Sequence, residues 1–410
     1  MKIAVIGGGA AGMMAVATIK EKNPATEVFL IEKNHDLGAK VMLTGGGRCN
    51  VTTGIFDVEE VLKKYPRGAK FLKHAMYSFS PKDLCAWFEN HGLQLKIQGD
   101  LRVFPVSDNG QDVVRVFVDI FAKTAVKILL NNAVMKIEKE ENNFFVQMSD
   151  SEVLEVNKII LTTGGQAYRE TGSTGDGYTF AKNLGHTITK LAPSLSALMI
   201  KEEFIQHLSG VSLEKVSLRV NADKIYKFTG PIMFTHFGLS GPAIFAMSAL
   251  IALIDFSAKS PINLFIDLIS DFEQSKFLEL LNQKIIQEGK KRVVNIIDQF
   301  LPKSLAVKIL ENLNINLDKK FCELSKKEIN KIVENLKNLP LTVIGRRAGE
   351  EFVTAGGIDL KEVNPQTMES KICPGLYFAG EILDIDGFTG GFNLQSAWST
   401  GRLAGKSADC

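Results

Sequence analysis

Lys2-Ile3-Ala4-Val5-Ile6-Gly7-Gly8-Gly9-Ala10-Ala11-Gly12 is an apolar run that leads directly into a glycine-rich turn. An apolar run followed by a GxGxxG turn predicts a β-strand, a tight turn and the start of a helix. Gly7 permits the turn, Gly9 lets a phosphate approach the backbone, and Gly12 allows the helix to lie close to the strand. The stretch therefore predicts a Rossmann-type site for the pyrophosphate of a dinucleotide, at the N-terminus of a helix.

A second apolar run, Val28–Ile31, ends at an acidic residue, Glu32. A carboxylate at this spacing accepts hydrogen bonds from a ribose diol and repels a 2′-phosphate. The turn and the acid identify the adenosine half of a dinucleotide, and by themselves they do not distinguish FAD from NAD. The residues predicted to hold this half are Gly7, Gly9, Ala10, Ala11, Gly12, Glu32 and Lys33.

Length and composition limit the class of protein. A chain of 410 residues favours two or three domains. The net charge of +2 gives no reason to expect nucleic acid as a partner. We find no apolar run long enough to span a membrane and no N-terminal pattern of a signal peptide. We therefore expect a cytoplasmic protein that acts on a small molecule, with its oligomeric state left open.

The five cysteines are scattered and odd in number, and none forms a CxxC pair. This spacing predicts neither a metal site nor a structural disulfide, and it fits a reducing compartment. It also argues against a disulfide reductase, which needs two neighbouring cysteines beside a flavin.

The pattern along the chain predicts an α/β domain built from both ends of the sequence. Residues 127–156 alternate as a β-meander, and Lys158–Leu161 reads as a buried strand that returns to the core sheet. Residues 191–270 look β-rich, whereas 271–340 repeat apolar residues at helical spacing. We therefore predict a nucleotide-binding domain formed by residues 1–190 and 341–410, with an insertion at 191–340.

Four glycine-rich turns follow strand-like runs, but only Gly7–Gly12 matches the full fingerprint. Repeated close backbone approach suits one long ligand lying across a sheet edge. The absence of a second fingerprint favours one tightly bound dinucleotide, with any reductant visiting transiently. Gly380-Glu381 suits a polyol hydroxyl, and a helix after Gly391 could aim its N-terminus at the pyrimidine edge of a flavin. FAD fits these features better than NAD.

Six stretches of the chain together form a recognisable pattern: Val5–Gly12, Gly45–Asn50, Arg102–Asp108, Phe234–Pro242, Val353–Gly357 and Pro374–Trp398. In these stretches the sequence resembles the BaiN-like family of NAD(P)/FAD-dependent oxidoreductases, flavoproteins described as bile-acid-type enoyl reductases or aminoacetone oxidases. The resemblance implies a two-part, Rossmann-like FAD-binding domain with an inserted domain of mixed β-barrel and helical character.

Carried over by motif, the resemblance implies further contacts with FAD. The Gly45–Asn50 segment would pass near the diphosphate and flavin, Val134 would meet adenine through its backbone, and the C-terminal motifs would hold the ribityl and flavin ends. The residues implied are Lys40, Gly46, Gly47, Arg48, Cys49, Asn50, Val134, Thr163, Gly164, Gly165, Gly380, Glu381, Gly391, Phe392, Asn393, Leu394 and Gln395.

Some individual residues allow more than one role. Arg48 suits a phosphate or substrate anion as well as a surface ion pair. Cys49 fits a packed small side chain better than a nucleophile, since no histidine is near in sequence. His236 is the catalytic candidate, with a structural role in its turn as the alternative. Asp386 could face a flavin or form part of a loop.

These features lead to a functional hypothesis with two alternatives. NAD(P)H would dock transiently and reduce bound FAD, and an activated C=C bond of an apolar, carbonyl-bearing substrate would then accept the hydride. His236 would be a candidate proton donor. One alternative is a flavin amine oxidase that produces hydrogen peroxide. The other is a flavin-bound accessory protein in RNA or ribosome metabolism.

Overall fold

The computed structural model describes residues 1–347, 349 and 351–410. Contacts divide the chain into two compact units, the first from residues 1–194 and 351–410, the second from the described residues within 195–350. No helix in these described ranges is long and apolar enough to cross a membrane.

The helices and strands fall into three groups along the chain. Those of residues 1–194 are β1 (Lys2–Ile6), α1 (Ala10–Lys22), β2 (Glu27–Ile31), α2 (Ala39–Leu43), β3 (Thr52–Thr53), α3 (Val58–Leu62), α4 (Ala69–Ser78), α5 (Pro81–Asn90), β4 (Leu95–Ile97), β5 (Arg102–Pro105), α6 (Gly110–Lys123), β6 (Lys127–Leu129), β7 (Val134–Glu140), β8 (Asn143–Met148), β9 (Val153–Val156), β10 (Lys158–Leu161), α7 (Asp176–Asn183) and β11 (Ala192–Ser194). Those of the second unit are β12 (Leu198–Ile200), β13 (Ser212–Asn221), β14 (Ile225–Thr235), β15 (Gly238–Ser240), α8 (Pro242–Leu250), β16 (Ile262–Asp267), α9 (Gln274–Glu288), α10 (Val293–Ile297), α11 (Lys303–Asn312), α12 (Lys326–Lys337) and β17 (Leu339–Arg346). Those of the C-terminal segment are β18 (Val353–Ala355), β19 (Leu376–Phe378) and α13 (Phe392–Ala408).

The first unit is built on a five-stranded parallel sheet in the order β19-β10-β1-β2-β6. The strands are almost wholly apolar because a parallel sheet is covered on both faces. Strand β19 comes from the C-terminal segment and completes the sheet beside β10. The prediction of an α/β Rossmann-like fold is confirmed.

Helices α1 and α13 pack closely against each other on this sheet. A Cβ added at Gly401 would lie 2.3 Å from the Ala11 carbonyl oxygen, and one at Gly405 would lie 2.4 Å from the Ala15 carbonyl oxygen. Glycine is therefore required at both positions for the two backbones to approach. This packing joins the beginning and the end of the chain.

The predicted β-meander occupies less of the chain than its sequence pattern. Strands β7, β8 and β9 form an antiparallel three-stranded sheet, but β6, at the start of the pattern, pairs with β2 in the parallel sheet. The turn between β7 and β8 contains Glu141 and Asn142. Two smaller sheets, β3-β5-β4 and β11-β18, complete the first unit.

The second unit contains a closed barrel of strand order β12-β15-β14-β13-β16-β17. Its adjacent strands all pair antiparallel, and the helices α9 to α12 follow β16 in the chain. Alternate barrel residues such as Val216, Leu218 and Val220 are buried in a core that also includes Phe277 and Ile332 from the helices. The predicted mixture of β-barrel and helices is confirmed.

The barrel also explains where the two units divide. Sequence patterns place the boundaries at 190/191 and 340/341, whereas the contacts place them at 194/195 and 350/351. Strand β17 pairs with both β12 and β16, so it belongs to the barrel. Pro340 is the second residue of β17, which follows the last helix of this unit, α12. Helix α8 interrupts the segment that looks β-rich in sequence.

Candidate functional site

The candidate site lies along the carboxyl edge of the parallel sheet. Glu32 follows β2, Gly7 follows β1, Thr163 lies just after β10, and Glu381 lies just after β19. The sheet order puts these four positions in a row, with Gly7 and Thr163 between the two acids. Three strand spacings separate the acids, about 14 Å at the usual interval. Ligands of open α/β sheets bind outside this edge.

The glycines of the first turn have different structural roles. Gly7 has a φ of 107°, and a Cβ at Gly12 would lie 1.9 Å from the Gly7 carbonyl oxygen. Both are therefore required by the protein itself. At Gly9, in contrast, no heavy atom lies within 4 Å of an added Cβ. Gly9 precedes α1, which has no side-chain cap, so its first N–H groups face a space that a phosphate could occupy.

The Glu32 carboxylate is oriented by the backbone around it. Its Oε2 accepts a hydrogen bond from the Gly8 N–H at 2.7 Å, and its Oε1 accepts one from the Asn34 N–H at 2.9 Å. The Asn132 N–H donates to the Glu32 carbonyl oxygen, which brings the nearby Val134 to this end of the edge. Lys33 points instead to an ion pair with Asp176, at 2.6 Å.

Helix α13 begins at the end of the site opposite Glu32. Gly391, its N-cap residue, has a φ of 88° and no side-chain cap, and a Cβ there would lie 2.4 Å from the Thr52 carbonyl oxygen. The Asn50 amide, in the orientation that satisfies its hydrogen bonds, accepts from the Gly391 N–H at 2.9 Å. The structure therefore brings the Gly45–Asn50 segment and α13 together.

The side chains that follow Gly391 bond to other protein groups or are at least partly buried. The amide of Gln395 is buried, where it accepts from Thr52 Oγ1 and donates to the Phe79 carbonyl oxygen. The amide of Asn393 bonds the backbone of Gly387 in both directions. Phe392 is buried, and Leu394 is half-buried. What this turn offers to a ligand is mainly its backbone N–H groups.

The Gly45–Asn50 segment combines open glycines with a packed cysteine. An added Cβ at Gly46 or Gly47 would meet no atom within 4 Å, although both have a positive φ. The Arg48 guanidinium lies 4.1 Å from the centroid of the Phe104 ring and 3.8 Å from Asp108. Cys49 is fully buried, and burial raises the pKa of its thiol to about 12. The thiol therefore stays protonated at neutral pH and is a poor nucleophile.

Lys40 and Glu381 form an ion pair at the β19 end of the row. Lys40 Nζ lies 2.6 Å from Glu381 Oε2, and Glu381 Oε1 accepts from the Thr354 N–H at 2.9 Å. A Cβ at Gly165 would lie 2.5 Å from Thr354 Oγ1, so glycine is needed for this approach. Residues 40, 165 and 381 are brought together here only by the tertiary fold.

Three further positions complete the row between Gly7 and Glu381. The hydroxyl oxygen of Thr163 is buried without a hydrogen-bond partner in the described chain. Gly164 has a φ of 76°, and Gly380 donates its N–H to Thr400 Oγ1 on α13. A bound polar ligand would give the unpartnered Thr163 hydroxyl a hydrogen-bond partner.

The catalytic candidate, His236, and the flavin-side candidate, Asp386, have surroundings that the sequence did not indicate. His236 lies in the short turn between β14 and β15, where it is exposed and its ring meets Phe237 edge-on at 5.0 Å. Asp386 has no exposed surface and forms a bidentate ion pair with Arg67, and its Oδ2 also accepts from Ser194. Asp386 is therefore a structural acid.

Sequence patterns did not single out Arg67 or Thr354. Arg67 lies in an ordinary polar loop, and Thr354 lies in a short strand of a stretch noted only for its resemblance. The Thr354 hydroxyl oxygen accepts from the N–H groups of Gln166 and Ala167 and so anchors the segment after β10. A local pattern carries no signal for such partners because they lie almost 190 residues away.

Together, the parallel sheet, the glycine turn and the ordered carboxylates define a Rossmann-type nucleotide-binding protein. The chain belongs to the HI0933-like protein Rossmann domain family, whose profile matches residues 1–407. The predicted resemblance to this group is confirmed.

The curated relatives span nearly the whole chain. A 3-dehydro-bile acid delta(4,6)-reductase of Clostridium scindens is 29% identical over 409 residues, 99% of this chain and 98% of the relative. A ribosomal RNA dihydrouridine synthase of Escherichia coli K12 is 29% identical over 402 residues, 97% of this chain and 95% of the relative.

Solved structures share the fold at low identity. An open-conformation flavocytochrome c3 fumarate reductase has a TM-score of 0.51 and 16% identity, covering 100% of this chain and 78% of that one. An E. coli quinol fumarate reductase has a TM-score of 0.50 and 13% identity, covering 100% and 70%. The chain therefore shares its fold with these two reductases.

Proposed function

We propose that the protein is an FAD-dependent oxidoreductase that reduces a C=C bond conjugated to a carbonyl group. The observation that carries the proposal is the row of Glu32, Gly7–Gly12, Thr163 and Gly380-Glu381 along one sheet edge, with α13 beginning beside it. This order matches the parts of an extended dinucleotide, from ribose through pyrophosphate to a polyol chain and a flavin.

The residues present fit FAD. Gly9, Gly46 and Gly47 border open space, the Thr163 hydroxyl lacks a partner in the described chain, and α1 and α13 both begin without a side-chain cap. The N–H groups of α1 would bind the pyrophosphate, Glu32 the ribose, Glu381 the ribityl hydroxyls, and the N–H groups of α13 the pyrimidine edge. The cofactor would supply hydride transfer, and the chain would supply position and charge.

The names of the relatives favour the same reaction type. Both a delta(4,6)-reductase of a 3-dehydro-bile acid and a dihydrouridine synthase imply reduction of a C=C bond near a carbonyl. We propose an apolar, carbonyl-bearing small molecule as substrate and NAD(P)H as the transient reductant. A single dinucleotide fingerprint supports a reductant that visits rather than resides.

Anaerobic mixing tests the proposal in two stages. The purified protein should be yellow, and NADH or NADPH should bleach the oxidised flavin band. A 4-en-3-one steroid should then restore it as the C=C bond is reduced. If neither nucleotide bleaches the flavin, the NAD(P)H-dependent reductase is wrong; if a small amine bleaches it instead and peroxide is released in air, the protein is an amine oxidase.

A second candidate substrate is a uridine in RNA, whose C5=C6 bond is also conjugated to a carbonyl. The outer face of the barrel supports it. Arg219 and Lys227 are direct cross-strand partners, and the Arg219 guanidinium lies 4.4 Å from the centroid of the Phe265 ring. Like charges directly opposite each other destabilise a strand pair, and a bound phosphate would offset this repulsion.

Binding of RNA to this face can be measured directly. A fluorescent oligouridylate should bind with an affinity that falls steeply with salt, and Arg219→Gln with Lys227→Gln should weaken it. The exposed Lys259→Gln is a control for the loss of one charge elsewhere on the same unit. Salt-independent or absent binding would leave the small molecule as the substrate.

A further inference from the structure

Tyr168 occupies a strained position at the carboxyl edge of the sheet. It follows β10 by way of Gly164-Gly165, and its φ is 57°, in the left-handed region that a bulky side chain rarely adopts. The hydroxyl of Thr354 accepts from the two N–H groups just before it, those of Gln166 and Ala167. The surrounding structure therefore holds the Tyr168 backbone in an unfavourable conformation. Residues strained in this way are common at functional sites.

The Tyr168 ring contacts both an aromatic ring and a cation. It stacks on Phe352 with centroids 6.0 Å apart and an interplanar angle of 23°. On Lys40, Nζ lies 5.6 Å from the centroid of the Tyr168 ring, while the same ammonium pairs with Glu381. The ring thus belongs to the Lys40–Glu381 cluster, at the end of the edge where the flavin is proposed to bind.

The Tyr168 hydroxyl is distinguished by having no hydrogen-bond partner within the described ranges of the chain. The other tyrosines bond a protein group: Tyr65 the Phe392 carbonyl oxygen, Tyr77 Glu59, Tyr178 the Glu381 carbonyl oxygen, Tyr226 Asp223 and Tyr377 Glu369. Tyr168 is also only half-buried. Its ring contacts Phe352 and Lys40, yet its O–H remains available to a ligand.

The surroundings of Tyr168 favour a neutral phenol. Burial, followed by the charge of Glu170, raises the pKa of Tyr168 above its ordinary value, so the hydroxyl is a proton donor throughout the physiological range. The Lys40 ammonium is close enough to stabilise negative charge that develops on the ring during transfer. His236, the candidate from sequence, is an exposed turn residue and lacks comparable confinement.

We infer that Tyr168 contacts the substrate and donates a proton to the carbon next to its carbonyl group. The inference rests on the proposed function. A bound reduced FAD would supply two electrons as a hydride for the β carbon. As the π bond breaks, the Tyr168 phenol would donate its proton to the α carbon, and the phenolate would regain a proton from water.

Tyr168→Phe tests the inference because it removes one oxygen and keeps the ring on Phe352. The holo-protein is reduced with dithionite without oxygen and mixed with a 4-en-3-one steroid or a uridine oligonucleotide. With whichever compound reoxidises the wild-type flavin, the variant should react about 100-fold more slowly or worse. The wild-type rate should also fall at high pH as the phenol ionises, whereas the variant should show no such fall.

A binding measurement gives a readout independent of turnover. The oxidised holo-protein is titrated calorimetrically with the saturated product of the reoxidising compound, and Tyr168→Phe should weaken binding about 2- to 10-fold for one neutral hydrogen bond. Tyr77→Phe removes the same atom from an exposed tyrosine on α4 and should match wild type in both assays.

The outcomes separate the inference from the function on which it rests. If no compound reoxidises the reduced wild-type protein, the proposed function is wrong and the assignment of Tyr168 falls with it. If wild type is reoxidised and Tyr168→Phe reacts and binds equally well, only the assignment is wrong. Loss of the high-pH fall together with slow reoxidation in Tyr168→Phe supports it.

Discussion

Gly9→Ala should separate cofactor binding from folding. Gly9 has a φ of −81° and a ψ of −168°, which any residue can adopt, and no heavy atom lies within 4 Å of an added Cβ. Glycine is therefore not required here by the protein. If a pyrophosphate occupies the space beside Gly9, the new methyl group will push it away from the N–H groups of α1.

Gly9→Ala is expected to stabilise the apoprotein and to weaken its binding of FAD. Replacing glycine by alanine at a compatible backbone position stabilises a protein by about 0.4–1 kcal/mol, because the unfolded chain loses freedom. The apoprotein should then melt about 1–4 °C higher. Two weakened hydrogen bonds to a charged phosphate cost about 3–6 kcal/mol, which corresponds to a fall in FAD affinity of about 10²–10⁴-fold.

The assay combines thermal melting of the apoprotein with fluorescence titration of FAD. Gly12→Ala is the matched control, because its Cβ would lie 1.9 Å from the Gly7 carbonyl oxygen and should lower the melting temperature of the apoprotein itself. Gly9→Ala should be as stable as wild type, or more so, and colourless after gel filtration.

Two results would refute this reasoning. A Gly9→Ala protein that retains stoichiometric FAD with unchanged affinity would show that the pyrophosphate does not approach Gly9. An apoprotein destabilised by Gly9→Ala to the same extent as by Gly12→Ala would show that Gly9 is packed against protein.

Three other outcomes are expected from buried groups. Arg67→Met leaves the Asp386 carboxylate buried without its cation. The free energy of unfolding measured in urea should therefore fall by about 3–5 kcal/mol. A decrease smaller than about 1 kcal/mol would contradict the pairing. Burial raises the pKa of the Cys49 thiol to about 12. Cys49 should therefore resist iodoacetamide at pH 8 in the native protein, while the exposed Cys410 is alkylated. Peptide mass spectrometry can verify both outcomes. Burial lowers the pKa of His186 below its ordinary value of about 6.5. At acidic pH the unfolded state then binds more protons than the folded state. The free energy of unfolding should therefore be greatest above about pH 6.5 and decline as the pH falls below that value. Urea unfolding at several pH values should show this decline for wild type and a smaller one for His186→Gln.

The prediction of an adenosine-binding end rests on determinants that are local in the sequence. The GxGxxG turn and the acid after the second strand lie within about thirty residues of each other, and each residue type is dictated by one contact. The structure adds that Gly7 and Gly12 are required by the fold, whereas Gly9 borders open space.

The flavin end could be predicted only as a set of motifs. Sequence grouped Gly391 to Gln395 as one binding segment, yet the Gln395 and Asn393 side chains bond protein groups and leave the backbone N–H groups to a ligand. The same limit applies to Asp386, since its partner Arg67 is more than 300 residues away. Such pairings depend on how distant segments pack, and no local pattern records that.

The sequence by itself determined that this chain contains a Rossmann-type dinucleotide site with a mixed insertion. These properties follow from strand and turn preferences and from apolar periodicity, which act over a few residues. Only the tertiary structure decided that β19 joins β10, that Lys40 meets Glu381, and that Tyr168 is held with its hydroxyl unpaired in the described chain. Those facts depend on the order of strands in the sheet, because packing of remote segments places their side chains beside one another.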